Sequence, residues 1–296
     1  MDHLRQWQED VVLFDVSDLP NRATITFDYA DPKHPLVEFH LENSGPVDLT
    51  RAQSVWWRRP QAAELTGVID PDAHLFAANE WHEAISGLWQ LLEARWINPP
   101  TCDEVASRKC LQLRVASQMG LAVPRTLITS DPGRARRFIE GRDQTIFKTF
   151  SATHAIWRET RLIRDEELEV LDTVRLAPVI FQEYIPAEAD LRVTIVGDRL
   201  FPAAIFSQDT DYPVDFRMSL GQSRVEPAAL PADVTDKLLK FMKHLGLVYG
   251  AIDLRRTPEG EYVFLEVNTA GEFLFIEERT GQQISKALAE WLARPH

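Results

Sequence analysis

The chain has 296 residues, 45% hydrophobic and 26% charged, which is enough apolar material for two or three packed units and speaks against disorder. A formal net charge of −13 argues against a protein held on nucleic acid or an anionic membrane by broad electrostatics. The two cysteines, Cys102 and Cys110, form neither a metal-ligand nor a disulfide pattern, and no apolar run resembles a signal peptide or a membrane span, so a cytoplasmic protein with reduced thiols is expected.

Over Met1–Pro60, short apolar runs at Val11–Phe14, Thr24–Phe27, Leu36–Leu41 and Val55–Trp57 alternate with Asp, Pro and Asn turns, which predicts a small α/β or β-rich unit. Trp56-Trp57-Arg58-Arg59-Pro60 reads either as a buried strand end whose arginines meet local carboxylates or as a cationic, aromatic rim for an acidic ligand. Ala78, Trp81, Ile85, Leu88, Trp89 and Leu92 recur at helical spacing, predicting an amphipathic helix with its tryptophans in the core. Ile97-Asn98-Pro99-Pro100 then interrupts regular structure and marks a domain boundary.

Thr101-Cys102-Asp103-Glu104 has the spacing of a capping box and predicts the start of one helix, with Leu111, Val115 and Met119 on its apolar stripe and Gly120 at its end. Lys109 lies off that stripe, as an ordinary solvated lysine would. Ile146–Ser151 reads as a buried strand in which Lys148 must reach a carboxylate or a bound anion, because an unpaired ammonium there is costly. The Ala152–Arg161 loop has no glycine run and is not a P-loop, and His154 reads as an ordinary loop histidine.

Val179–Pro186 is a strand closed by a proline, whose missing N–H forces a turn; backbone groups at such an end can hold a flat heterocycle by one donor and one acceptor. Asp190 and Arg192 share a face of the next strand by period two, and either pair with each other or serve a site. Gly197-Asp198 predicts a tight turn into Leu200–Phe206. Val234, Leu238, Phe241, Met242 and Leu245 predict a helix ending at Gly246, and Ile284, Leu288 and Leu292 a C-terminal one.

The most informative stretch is Tyr249–Glu272. Two alternating runs, Tyr249–Arg255 and Tyr262–Asn268, flank the turn signal Thr257-Pro258-Glu259-Gly260 and predict a β-hairpin. A turn closing about Pro258 and Glu259 sets Asp253 opposite Phe264, with Glu266 on the diagonal at roughly 7–8 Å and Asn268 on the face of Glu266. Two carboxylates and an amide oxygen are hard ligands, too few for a closed cage, which suits Mg²⁺ bound jointly with phosphates. A solvated acidic face on an edge strand is the plainer alternative.

Lys109, Lys148, FQEYIP, DLR and a terminal D…E-V-N hairpin occur in the order seen in ATP-grasp enzymes, and from about Pro100 onward the chain resembles that superfamily. Within it, WWRRP, INPP, KTFS, QEYIP, DLRVT, AIDL and FLEVNTAGEFLFIEERTG are most similar to the graspetide synthetases, the microviridin-type maturases of ribosomally made peptides. The resemblance implies an α/β ATP-grasp fold with an N-terminal pre-ATP-grasp domain over 1–100, a central subdomain over 101–180 and a C-terminal subdomain over 181–296. It implies that Lys109 and Lys148 hold ATP phosphates, that the backbone at Glu183, Tyr184 and Ile185 takes adenine, and that Asp190 takes the ribose. Arg192 and Arg217 would face the transferred phosphoryl and the acyl phosphate, and Asp253, Glu266 and Asn268 would hold Mg²⁺. The implied partner is a precursor peptide with a leader, and the implied assembly a homodimer. Thr269, Ala270 and Glu272 stand where the family commonly has Pro, Asn and Gln, and the chain begins at what resembles the family's first helix, without the usual preceding strand. The implied activity is ATP-driven formation of side-chain esters or amides. An amino-acid ligase acting on a peptide or protein end, and a nucleotide-binding pseudoenzyme, are the alternatives.

Overall fold

The computed structural model describes residues 1–42, 45–150 and 160–294. His154 and most of the Ala152–Arg161 loop, like Ser151 at the end of the Lys148 strand, lie outside the described residues. The chain divides into two units, Met1–Cys102 with Ser285–His296, and Asp103–Ile284.

The first unit begins with a short helix, α1 (Asp2–Gln6), and an antiparallel sheet of β1 (Ala23–Asp28), β2 (Leu36–Leu41) and β3 (Pro46–Asp48) in that order. Val11–Phe14, expected as a strand, forms none. Its Phe14 ring instead packs edge-on against Phe39 at 4.2 Å and Trp89 at 5.9 Å, so burial of one aromatic outweighs the alternation. After β4 (Ser54–Trp56) comes α2 (Pro71–Leu91), which starts where the Asp70 carboxylate accepts the Ala73 N–H at 2.8 Å. Ile85 and Leu88 of α2 are buried with Leu92 against Val37 and Phe39, each such side chain being worth roughly 1.5–3 kcal/mol of burial. β5 (Arg95–Ile97) pairs parallel with β4. Trp57 packs on Trp89 at 4.7 Å, while the exposed Arg58 stacks over the half-buried Trp56 at 5.3 Å, an arrangement compatible with either reading of this run.

The chain passes into the second unit within α3 (Pro100–Ala106), and α4 (Lys109–Gln118) follows, two helices where one was expected. Helix α3 begins at Pro100, not at a Thr101 cap, since a proline in the first turn forfeits only an N–H that no helix uses. The break puts Lys109 at the first position of α4 and not on the flank of a longer helix. Gly120, at φ +78°, ends α4 as expected. Then follow β6 (Thr126–Thr129), α5 (Pro132–Glu140), β7 (Thr145–Lys148), β8 (Arg161–Leu162), α6 (Asp165–Glu169) and β9 (Val179–Glu183), whose strands form an antiparallel sheet ordered β6-β9-β7-β8.

The second sheet of this unit is built from β10 (Ala189–Val196), β11 (Arg199–Phe206), β12 (Arg224–Pro227), β13 (Tyr249–Arg256) and β14 (Tyr262–Asn268), ordered β12-β11-β10-β13-β14. Between these strands lie α7 (Phe216–Ser219) and α8 (Ala232–His244), and α9 (Leu274–Thr280) and α10 (Ile284–Leu292) follow. Alternation sorts the faces. Leu191, Val193, Ile195, Ile252 and Leu254 join Val115, Leu238, Phe241 and Met242 in one core, so Asp190, Arg192, Asp253 and Arg255 occupy the opposite face.

Residues Ser285–His296 group with the first unit, whereas the sequence placed them in the last subdomain. The reason is local: Ser54 Oγ donates to the Leu292 carbonyl at 2.9 Å, Arg95 donates to the carbonyls of Leu292 and Arg294, and its guanidinium lies 5.7 Å from the Trp291 ring. Among the described residues no helix is long and apolar enough to cross a membrane.

Candidate functional site

The hairpin β13–β14 forms, in a register that differs from the expected one. Arg256 pairs with Tyr262 and Leu254 with Phe264, after which a bulge brings Glu266 opposite Asp253. Gly260, at φ +85°, extends the turn: its N–H donates to Thr257 O, and the Thr257 N–H to Glu261 O, both at 2.9 Å. Leu265 is the second extra residue. Two single-residue shifts therefore convert the diagonal of Asp253 and Glu266 into a direct cross-strand pair, with Cβ atoms about 4.5–5.5 Å apart for such pairs. Asn268 joins them, its Nδ2 donating to Asp253 Oδ2 at 3.1 Å.

The charges on this face pair across strands, not along them. Arg192 lies opposite Asp253, and its Nη1 donates to both carboxylate oxygens, at 2.8 and 2.9 Å. Asp190 lies opposite Arg255, whose Nε donates to Asp190 Oδ1 at 2.9 Å, while Ser207 Oγ donates to the other oxygen. Pairing of Asp190 with Arg192 is thus replaced by two crossed ion pairs. Arg192 Nη2 also donates to the Glu272 carbonyl at 3.3 Å. A Cβ on Gly271 would lie 2.8 Å from that Nη2 and 2.5 Å from Ala251 Cβ, so only glycine lets the backbone lie against the guanidinium.

Lys109 and Lys148 approach the pair from α4 and the end of β7. Lys109 Nζ forms an ion pair with Glu266 Oε2. Burial pushes the Lys148 ammonium down to about 8, with Glu266 opposing that shift. Burial likewise pushes the Glu266 carboxyl up, but Lys109 and Lys148 outweigh it and hold it at about 2. Asp253 ends raised, because burial exceeds the pull of Arg192. Arg217, in the first turn of α7, gives its Nε and Nη2 to Asp215 at 2.8 and 2.6 Å; that pairing holds its guanidinium above its ordinary value against the effect of burial.

These groups face a cleft lined from both sheets, including Ile146, Lys148, Glu183, Ile185, Asp190, Arg217, Asp253, Arg255 and Glu266. Glu183 and Ile185 line it and Tyr184 does not. The N–H groups of Glu183 and Tyr184 are already donated to Arg125 O at 3.0 Å and Gln144 O at 3.1 Å. Lys109, Arg192 and Asn268 stand behind the lining, each bonded to a carboxylate that is in it. Among the described residues no three His, Cys, Asp or Glu side chains cluster to hold a metal unaided. The donor set is instead two carboxylates and an amide whose nitrogen is committed to Asp253, leaving its oxygen.

Sequence reasoning missed Arg255, although it follows Asp253 by two and so shares its face. The structure makes it a hub: Nη1 donates to Ile185 O at 2.8 Å, and Nη2 to Pro213 O and Val214 O at 2.9 and 3.0 Å. It thereby ties the end of β9 and the segment before Asp215 to Asp190. Asp215, the partner of Arg217, was also missed.

The chain as a whole is similar to several solved structures. The chain is 30% identical, with a TM-score of 0.89, to the macrocyclase MdnC from Microcystis aeruginosa MRC, solved with the precursor peptide MdnA, over 99% of this chain and 94% of that one. To macrocyclase MdnB of the same organism it is 31% identical, with a TM-score of 0.84, over 99% and 94%. To a Chryseobacterium gregarium RiPP-associated ATP-grasp ligase, solved with ADP and a leader and core peptide, it is 25% identical, with a TM-score of 0.89, over 100% and 92%. No curated protein matches the chain. The RimK-like ATP-grasp domain model matches residues 106–292, well over half the chain, and with two sheets enclosing a cavity of lysines, arginines and paired carboxylates the chain belongs to that family, as an ATP-dependent, ADP-forming ligase.

Proposed function

We propose that this ligase crosslinks a ribosomally made precursor peptide, activating Asp or Glu side chains as acyl phosphates and joining them to hydroxyl or amine side chains of the same peptide. The observation that carries this reading is the likeness, over 99% of the chain, to a macrocyclase that holds its precursor peptide. The reading includes Mg²⁺, a homodimer, a cytoplasmic setting and a leader that docks away from the chemistry, where apolar anchors can be buried.

The residues divide the work as follows. Lys109 and Lys148 hold phosphates, the backbone of Glu183, Tyr184 and Ile185 at and just past the end of β9 takes adenine, and Asp190 faces the ribose. Asp253, Glu266 and the Asn268 amide oxygen are hard donors that suit Mg²⁺. Asp253 and Glu266 face each other in the cavity wall, where two hard carboxylates can share one divalent cation with a polyphosphate. Bound there, Mg²⁺ supplies neutralising charge to the phosphate oxygens. Arg192 and Arg217 steady the phosphoryl and acyl phosphate charge. In the first step a peptide carboxylate oxygen bonds to the γ-phosphorus and ADP leaves. In the second, a hydroxyl or amine bonds to the acyl carbon, phosphate leaves and a proton is released. No protein nucleophile is needed, because positioning and charge carry phosphoryl transfer.

Mass balance tests the reading. Each ring closed removes one water from the peptide, whereas an amino-acid ligase makes its substrate heavier. Incubated with ATP and Mg²⁺ and without free amino acid, a leader-bearing precursor is expected to lose water stepwise by mass spectrometry. A mass gain that requires added glutamate would overturn the crosslinking assignment.

Arg255 supplies a second expectation. Arg255→Lys keeps the charge but cannot reach Asp190, Ile185 and the 213–214 segment together. ADP affinity, measured by calorimetry, is expected to fall, since the backbone past β9 and the 213–214 segment lose the tie that holds them beside Asp190. Unchanged affinity with a lower melting temperature would leave Arg255 a purely structural clamp.

A further inference from the structure

We infer that Gln112 is a positioning residue for the metal-binding strand, gripping the backbone of β14 at Val267, between Glu266 and Asn268. This rests on the reading of Asp253, Glu266 and Asn268 as Mg²⁺ ligands.

Strand β14 is the last of its sheet, and its outer edge meets only a single bridge at Val263, where the Phe264 N–H donates to the Ala122 carbonyl at 2.8 Å, so no strand pairs with its outer groups near Val267. Gln112 takes that place. Its Oε1 accepts the Val267 N–H at 3.0 Å, and its Nε2 donates to the Val267 carbonyl at 3.0 Å. One side-chain amide thus makes both bonds that a neighbouring strand would make. The second Nε2 proton goes to the Ala106 carbonyl at the end of α3, at 2.7 Å, so both protons are used. Gln112 is 3% exposed, and water does not compete for these bonds.

The placement is specific to the site. Lys109 and Gln112 are three apart on α4 and share a face, so one helix presents an ammonium to the Glu266 side chain and an amide to the backbone of the next residue. Side chains alternate along β14: Glu266 and Asn268 point to the site, while Val267 points into the core. Gln112 therefore holds the strand at the one residue between the two ligands that does not face the metal. Loss of the grip frees both ligands together, and metal geometry tolerates little such freedom.

Gln112→Met keeps the length and volume and removes the amide. Mn²⁺ binding to the ADP complex, titrated by electron paramagnetic resonance, is expected to weaken by about 10- to 100-fold, as for other residues that orient metal ligands. ADP binding without metal is expected to stay unchanged. Wild-type Mn²⁺ affinity in the folded variant overturns the inference even where the melting temperature falls, because the amide then serves stability alone. Should Gln112→Met fail to fold, Gln112→Glu, which keeps the acceptor for the Val267 N–H and loses the donors, is read in the same way. Wild-type protein that binds Mn²⁺ no better than Glu266→Ala overturns the metal reading and the inference with it, a failure visible without any change at Gln112.

Discussion

Arg192→Lys is expected to lose most of its turnover while remaining folded, and Arg192→Ala to lose on the order of 10³-fold or more, the loss typical of an arginine that meets the charge of phosphoryl transfer. Arg192 is 6% exposed, and its bonds go to Asp253 and to the Glu272 carbonyl. Its Nε has no partner among the described residues. The alanine variant mixes two effects: Asp253, whose carboxyl burial already pushes up, would lose the cation that opposes this, and an uncompensated buried charge costs about 3–5 kcal/mol. Lysine separates them. Its ammonium can keep Asp253 paired, but it lacks the planar fork that serves Asp253 and Glu272 at once. Rates of ADP release with the precursor peptide, beside melting curves, decide the matter. A fully active Arg192→Lys enzyme would reduce Arg192 to a structural partner of Asp253.

What the sequence made legible was what local pattern encodes. The hairpin β13–β14, the lysine at the end of β7 and the ends of α4 and α8 follow from period-two or helical alternation and from Gly and Pro. Register was not legible, because Gly260 and Leu265 each add one residue while leaving the alternation on either side intact. Ion pairing was hidden for a related reason. Asp190 and Arg192 stand two residues apart on one strand, a rise of about 6.6 Å, whereas a directly opposed pair lies about 4.5–5.5 Å apart. Neighbours across the sheet therefore win, and strand order is absent from local pattern. Thr101 had the right spacing for a cap, yet Pro100 could begin the helix one residue earlier. Gln112 looks like any polar residue on a helix; only the position of β14 as an edge strand shows its use.

Glu266→Ala is expected to lower activity by at least about 10- to 100-fold, the loss seen when even indirect support of a metal site is removed. Glu266 sits directly opposite Asp253 and forms the ion pair with Lys109, and its charge is the first to favour the ammonium of buried Lys148. On the Mg²⁺ reading alanine removes a metal ligand, and it leaves Lys109 and Lys148 without the carboxylate that favours both ammonium groups. The phosphates of a bound nucleotide can neutralise those lysines, so free ADP should bind the variant nearly as well as wild type, while the divalent cation should not. Glu266→Gln sharpens the contrast: it keeps the shape and an oxygen for Lys109 but lacks the charge a hard cation needs. Both variants should therefore show activity that rises with Mg²⁺ well beyond the concentration at which wild type saturates, as read from initial rates of ADP release. Saturation of Glu266→Gln at the wild-type Mg²⁺ concentration, with wild-type turnover, would place the cation elsewhere and leave Glu266 as the partner of Lys109 alone.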